Sequence, residues 1–483
     1  MDEHLRALRG SILALVALGG MAFAQERPDR SRPPVLTSPA PLKLPAIDKR
    51  TLANGLAVWV VESHEVPIVQ LSLIVRAGGG NDPTGKFGAA SLTAAMLDEG
   101  AGTRSALAIA DDVELLGATL TTASSYDASA IRLNVPIERL DGALPLLADV
   151  ALRPAFPEKE IERLRQERLT ALLQARDDPS SIAGMAFARI VFGPEHRYGT
   201  GLIGTETSLK ALSSGDLRAF HASYYQPPNA TLLVVGDTTA DDVVPRLEKY
   251  FGEWRPAGAL GRDSVVSIAP QLRERQVYVV DKPDAAQSQL RIGWVGVPRS
   301  APDYFPLIVM NTVLGGAFTS RLNQNLREQH GYAYGASSAF DMRLSAGPFV
   351  AAAGVQTDKT AEAVGEFFSE LNGIRAPIEA DELDKAKNYI ALGFPAEFET
   401  TTDLSRRLEE LVVYRLSDDY FERYVPSVLA VTAKAAQGVA EQHVQPSRFA
   451  VVVVGDRKTI EPGVRALKLG PVRVMTVEEA LAP

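Results

Sequence analysis

Residues 70–75 read QLSLIV, and residues 289–294 read QLRIGW. Each lies within a longer apolar segment: VPIVQLSLIVRAG in the first case and QSQLRIGWVGV in the second. A second echo lies further on, where Val234-Val235-Gly236-Asp237 recurs as Val453-Val454-Gly455-Asp456. Both pairs are separated by the same 219 residues. One short match would carry little weight. Two at one offset, near the start and end of each half, are the mark of a duplicated domain.

Working outward, each half has the same order of elements. The apolar strand is followed by a helix, near 86–98 in the first half and near 303–314 in the second. A second helix and two alternating strands come next, as in ATLTTASSYDASAIRLNV (118–135), and then long helices. In IERLRQERLTALLQ (161–174) the spacing places Ile161, Leu164, Leu169, Leu172 and Leu173 on one helical face. Ser213 followed by Asp216 before LRAFHASYY predicts a capping box. A closing strand, ATLLVVGD or FAVVVVGD, ends each half. This pattern predicts an α+β chain of two homologous domains, each a mainly antiparallel sheet with helices packed on one face. The expected boundaries are 45–257 and 271–483, joined by a Gly/Pro-containing linker at 258–270 within WRPAGALGRDSVVSIAP.

The N-terminus predicts export. Arg6 and Arg9 precede the apolar stretch SILALVALGGMAFA (11–24), and Ala22-Phe23-Ala24 offers an A-x-A cleavage site. This is the layout of a secretory signal peptide, with a run too short to span a membrane. Residues 1–24 are therefore expected to be removed, and residues 25–44, rich in Pro, to form an extended linker. The absence of cysteine excludes a lipidated anchor, disulfides and thiolate zinc sites. A soluble periplasmic protein is the expectation. The net charge of −9 without a basic run argues against nucleic-acid binding.

Most catalytic templates fail. The six histidines, at 4, 64, 196, 221, 330 and 443, include no local pair of the kind a helix-borne zinc site needs. His196 and His221 read as ordinary surface or supporting residues. There is no G-x-S-x-G elbow, no phosphate loop and no dinucleotide fingerprint. One segment stands out: RLNQNLREQHGYAY (321–334). Leu322 and Leu326 at i, i+4 predict one buried helix face, and Gly331 stands where a glycine ends a helix. Tyr332 and Tyr334 then alternate into a strand and are expected to point the same way. Arg327 in the last turn and Tyr334 beyond the turn can converge on one point, where both donate hydrogen bonds to a carbonyl or an oxyanion. The simpler reading of these residues alone is an arginine complementing a helix C-terminus and a core tyrosine.

The stretch LGGAFTSRLNQNLREQHGYAYGASS (314–338) resembles the arginine–tyrosine element of the pitrilysin/insulinase zinc peptidases, the inverzincins. NGLAVWVVESHEVPIVQLSLIVRAGG resembles their opening strands, FGPEHRYGTGLIGTETSL their central loop and helix, and YYQPPNATLLVVGD their closing strand. The resemblance covers nearly all of residues 45–460 and is greatest to the two-domain subfamily that includes mitochondrial processing peptidase and its paired bacterial relatives. That family carries HxxEH, two zinc ligands with a general base between them, and a distal glutamate ligand on a later helix. Aligning GAASLTAAM (88–96) puts Ser91 and Ala95 at the histidines, Ala94 at the base, and Ala171 near the distal ligand. None of these can coordinate a metal.

The resemblance implies that this chain binds no zinc and has no peptidase activity alone. It further implies a heterodimer with a paralogous HxxEH subunit that holds the zinc and cleaves a peptide substrate, with Arg327 and Tyr334 donated in trans. The alternative is a non-enzymatic scaffold or a peptide-binding, chaperone-like protein.

Overall fold

The computed structural model describes residues 42–261, 266–269 and 271–482. The expected signal peptide, most of the Pro-rich stretch and part of the linker lie outside the described residues. Two six-stranded sheets organise the chain. The first contains β1 (Asp48–Thr51), β2 (Ala57–Glu62), β3 (Ile68–Val75), β6 (Thr119–Ser124), β7 (Ser129–Pro136) and β8 (Ala230–Gly236), in the order β1-β2-β8-β3-β7-β6. A small hairpin, β4 (Gly100–Ala101) and β5 (Arg104–Ser105), stands apart. The second sheet contains β9 (Gln276–Asp281), β10 (Gln287–Val295), β11 (Ala333–Phe340), β12 (Pro348–Gln356), β13 (Ala450–Gly455) and β14 (Val472–Met475), in the order β11-β12-β10-β13-β9-β14.

The duplication is visible strand by strand. β3 lies between β7 and β8 as β10 lies between β12 and β13, all antiparallel, while β2 and β9 each run parallel to the closing strand. The register agrees too: Gln70 faces Val235, and Gln289 faces Val454. The sheets differ at one edge, where β1 is antiparallel to β2 but β14 is parallel to β9.

The α+β, two-domain organisation is as expected, but β3, β8 and β13 are buried on both faces, and β10 over Ile292–Val295. One face of the first sheet, with Val58, Leu71, Leu73, Leu232 and Val234, packs against helices of its own half such as Leu140–Leu152. The other face, with Val61, Ile74, Leu233 and Val235, is covered by the helix Thr401–Tyr414 of the second half through Leu404, Leu408 and Leu411. The helix Pro179–Phe192 of the first half returns the exchange, packing Ile182, Ala183 and Phe187 on β10 and β13. Alternation in the strands predicts helices on one face only. The second face was hidden because its cover comes from the other half of the chain.

The exchanged helices are equivalent in detail. Both contain 14 residues, and both are capped by a side chain, Asp178 on the amide of Ser181 and Thr400 on that of Asp403. Polar contacts fix their docking. The Ser72 and Ser405 hydroxyls lie 2.9 Å apart, and Arg291 donates to Ser180 Oγ at 2.9 Å. Arg132 forms a two-pronged pair with Glu409 at 2.7 and 2.6 Å. Asp127 accepts from the Leu344 amide across the halves at 3.1 Å.

Local readings divide. The capping box of Ser213 and Asp216 forms on the helix Ser214–Tyr224. In the helix Glu158–Ala175, Ile161 is buried but Leu173 is 63% exposed. Arg165 and Arg168 take places on the inner face instead, because polar partners from neighbouring loops and helices await their guanidiniums.

Leu408→Ala removes a fully buried side chain at the exchange and is expected to cost about 2–4 kcal/mol. Because each sheet depends on the other half's helix, versions retaining only Trp59 or only Trp294 should unfold in one shared denaturant transition. Two separated transitions would contradict this coupling.

Candidate functional site

The segment around Arg327 is built on wide turns. The helix Tyr304–Asn311 continues into a π-helical stretch, Thr312–Gly316, and the helix Arg321–Asn323 continues into another, Gln324–Gln329. Leu322 and Leu326 are fully buried in the second core, as their spacing predicts. Arg321 holds Glu382 with two bonds of 2.7 and 2.6 Å, and Asn325 donates to Glu366 and Glu370 at 3.0 and 2.8 Å. Asn323 links both flanks: its Nδ2 donates to the Phe318 carbonyl at 2.6 Å, and its Oδ1 accepts from the Ala336 amide at 3.1 Å.

Gly331 ends this helix as expected, with φ of +66°. Its amide donates to the Arg327 carbonyl at 3.1 Å, and the Tyr332 amide donates to the Leu326 carbonyl at 2.8 Å. These bonds satisfy carbonyls that a helix end would leave open. The following strand departs from simple alternation. Ala333 faces Val355 but Ala336 faces Ala353, so a bulge falls between them. Tyr332, just before the strand, is half-buried and stacks on His330 at 4.9 Å, whereas Tyr334, within the bulge, is 87% exposed. The two tyrosines stand in different surroundings, Tyr332 against His330 and Tyr334 against Arg327.

Arg327 and Tyr334 do come together. The Arg327 guanidinium lies 5.1 Å from the Tyr334 ring centre and 4.4 Å from that of Phe318, itself 60% exposed. Its Nε also approaches Glu328 at 3.3 Å. A guanidinium resting against aromatic rings can still donate hydrogen bonds from its terminal nitrogens. The neighbour missed by sequence reasoning is Phe318, since an exposed aromatic in a loop carries no periodic signal.

The positions aligned with HxxEH lie on the helix Ala89–Ala95. Ala94 is buried, and Ser91 and Ala95 are half-buried. The distal position, Ala171, is on the helix Glu158–Ala175. A hydroxyl and three methyl groups do not fit a zinc ion. Among the described residues no group of three or more His, Asp or Glu side chains is arranged to hold a metal. Of the histidines, His64 pairs with Asp237 and His443 with Asp303, each at 2.7 Å. His221 is more enclosed than the sequence suggests: it contacts the Ala151 carbonyl at 2.9 Å, and burial pushes its pKa down.

Around this helix lies a buried polar network instead. The Asp82 carboxylate, fully shielded from solvent, accepts from the amides of Gly88 and Ala90 at 2.6 and 2.8 Å and caps the helix. It also pairs with Arg197 at 2.9 Å. Burial nevertheless holds the Asp82 carboxyl above the usual carboxylate range. Arg197 donates to the Gly79 carbonyl and, at 2.8 Å, to Thr200 Oγ1. Gly88 is required here: its φ is +96°, and a Cβ would come within 2.5 Å of the Ile203 carbonyl oxygen.

Comparison with known proteins agrees with this architecture. Residues 57–191 match the family Insulinase (Peptidase family M16), and residues 211–390 match the Peptidase M16 inactive domain. Relatives include an uncharacterized zinc protease YmxG of Bacillus subtilis, 24% identical over 400 residues, covering 82% of this chain and 95% of that protein. The uncharacterized zinc protease ML0855 of Mycobacterium leprae is 27% identical over 345 residues, covering 71% and 76%. Among solved structures, the peptidase M16 inactive domain from Pseudomonas fluorescens superposes with a TM-score of 0.78 at 24% identity, covering 85% of this chain and 98% of that one. A protease from Helicobacter pylori gives 0.79 at 21% identity, covering 85% and 100%. The chain belongs to peptidase family M16. Within it, this is a peptidase-like chain whose four zinc-motif positions hold no coordinating side chain.

Two expectations test the site's construction. Gly331→Ala should cost roughly 1–2 kcal/mol through backbone strain alone, since nothing lies within 4 Å of the added Cβ. Asp82→Ala should cost more, about 3–5 kcal/mol, because it leaves Arg197 buried and unpaired. Chemical denaturation of each variant checks both, and a smaller loss for Asp82→Ala than for Gly331→Ala would refute the ranking.

Proposed function

We propose that this chain is the non-catalytic, substrate-binding subunit of a periplasmic heterodimeric zinc endopeptidase. Its partner is a paralogue carrying HxxEH, and the zinc belongs to that subunit. Arg327 and Tyr334 are the residues this chain contributes in trans. The guanidinium edge and the phenol hydroxyl donate hydrogen bonds to the carbonyl oxygen of the peptide under attack. They bind it more tightly as negative charge develops there.

The observation that carries this reading is the exposure of Tyr334, 87%, beside an arginine braced by aromatic rings on an otherwise rigid segment. An arginine and a tyrosine serving only the fold would be turned inward, as Arg197 and Tyr225 are. Donors on a bulged strand and a tightly bonded helix end are already organised before any substrate arrives, which is what electrostatic catalysis requires.

The test is peptide cleavage by the purified pair. Arg327→Ala and Tyr334→Phe should each lower kcat by about a hundredfold, the typical effect of losing one oxyanion donor. The mass of the complex and the partner's zinc content should stay unchanged. Unaltered kcat in both variants would end the in-trans role. Full activity of the partner alone would remove the need for this subunit.

A further inference from the structure

Positions 91, 94 and 95 lie on one helix and position 171 on another. A metal bound through these positions would tie the two helices together. Here the tie is an arginine. Arg168, one turn before Ala171 and on the same face, donates from Nη2 to the Ser91 carbonyl at 2.9 Å. Its other terminal nitrogen, Nη1, is buried and has no hydrogen-bond partner among the described residues.

The charge count around it is unbalanced. Asp82 is the carboxylate whose field reaches Arg168, and it is already committed to Arg197 and two backbone amides. Two enclosed guanidiniums therefore share one carboxylate. Burial pushes the Arg168 pKa down to about 10, which still leaves it charged at neutral pH. An unbalanced enclosed cation is costly, and it would repel a divalent ion held through the half-buried positions 91 and 95 and the exposed position 171.

We propose that Arg168 is a built-in replacement for the metal: it cross-links the helices Ala89–Ala95 and Glu158–Ala175, and its charge bars a divalent cation from the space between them. The loss of the zinc motif is then more than the absence of ligands. The site has been rebuilt around a cation that cannot leave. This inference does not depend on any partner subunit.

The test restores the ligands. Ser91→His, Ala94→Glu, Ala95→His and Ala171→Glu are combined in the full chain, with Arg168 kept or changed to Leu or Lys. Zinc affinity is measured by competition with a chromophoric chelator. The Leu version should bind one zinc per chain at least about a hundredfold more tightly than the Arg version, as expected for removing a neighbouring like charge. The Lys version, which keeps a charge, should resemble the Arg version. Equal affinity of the Arg and Leu versions would overturn the exclusion. A second measurement needs no restored motif: Arg168→Leu in the native chain should speed amide hydrogen exchange in the helix Ala89–Ala95 at least about tenfold, as local opening is freed. Unchanged protection there would overturn the cross-link.

Discussion

The reciprocal exchange of two helices is the constraint on which the rest of the structure depends. Each sheet has a second apolar face that its own half does not cover. Leaving Ile74, Leu233 and Val235 in water would forfeit roughly 1.5–3 kcal/mol for each large side chain. Covering them with a helix from the other half secures that burial and fixes how the two halves meet. The contacts that accompany the exchange, Ser72 with Ser405 and Arg132 with Glu409, then set the docking position.

Against that shared frame the two halves have diverged. In the first, the helix Ala89–Ala95 is capped by Asp82 and tied by Arg168, so it is a small element fastened at several points. In the second, the corresponding region opens into π-helical turns and a bulged strand that carry Arg327, Phe318 and Tyr334 to the surface. Wide turns and bulges change the direction of a side chain without disturbing the core beneath it. One half has put its charged groups inside a closed network. The other has put an arginine and an aromatic pair outside.

Much of this was legible in the chain before folding. The 219-residue offset of QLSLIV and QLRIGW marked the duplication, and the matching register of Gln70 and Gln289 follows from it. Gly331 was readable because a glycine after Arg327 and Leu326 has a local geometric meaning. The Leu173 and Tyr334 orientations were not. Ideal periodicity puts Leu173 on the inner face, yet it is exposed while Arg165 is buried, and Tyr334 lies exposed within a bulge that alternation does not foresee.

The sequence by itself determined what depends on near neighbours: the strands and helices, their caps, the repeat, and the lack of any coordinating side chain at positions 91, 94, 95 and 171. Only the tertiary structure decided which half covers which sheet, and that Asp82, Arg168 and Arg197 meet in one buried network. The reason is distance along the chain. Local backbone geometry acts over a few residues and leaves a periodic trace. Burial and charge pairing act between residues brought together from far apart, and the spacing of such residues carries no pattern until the fold exists.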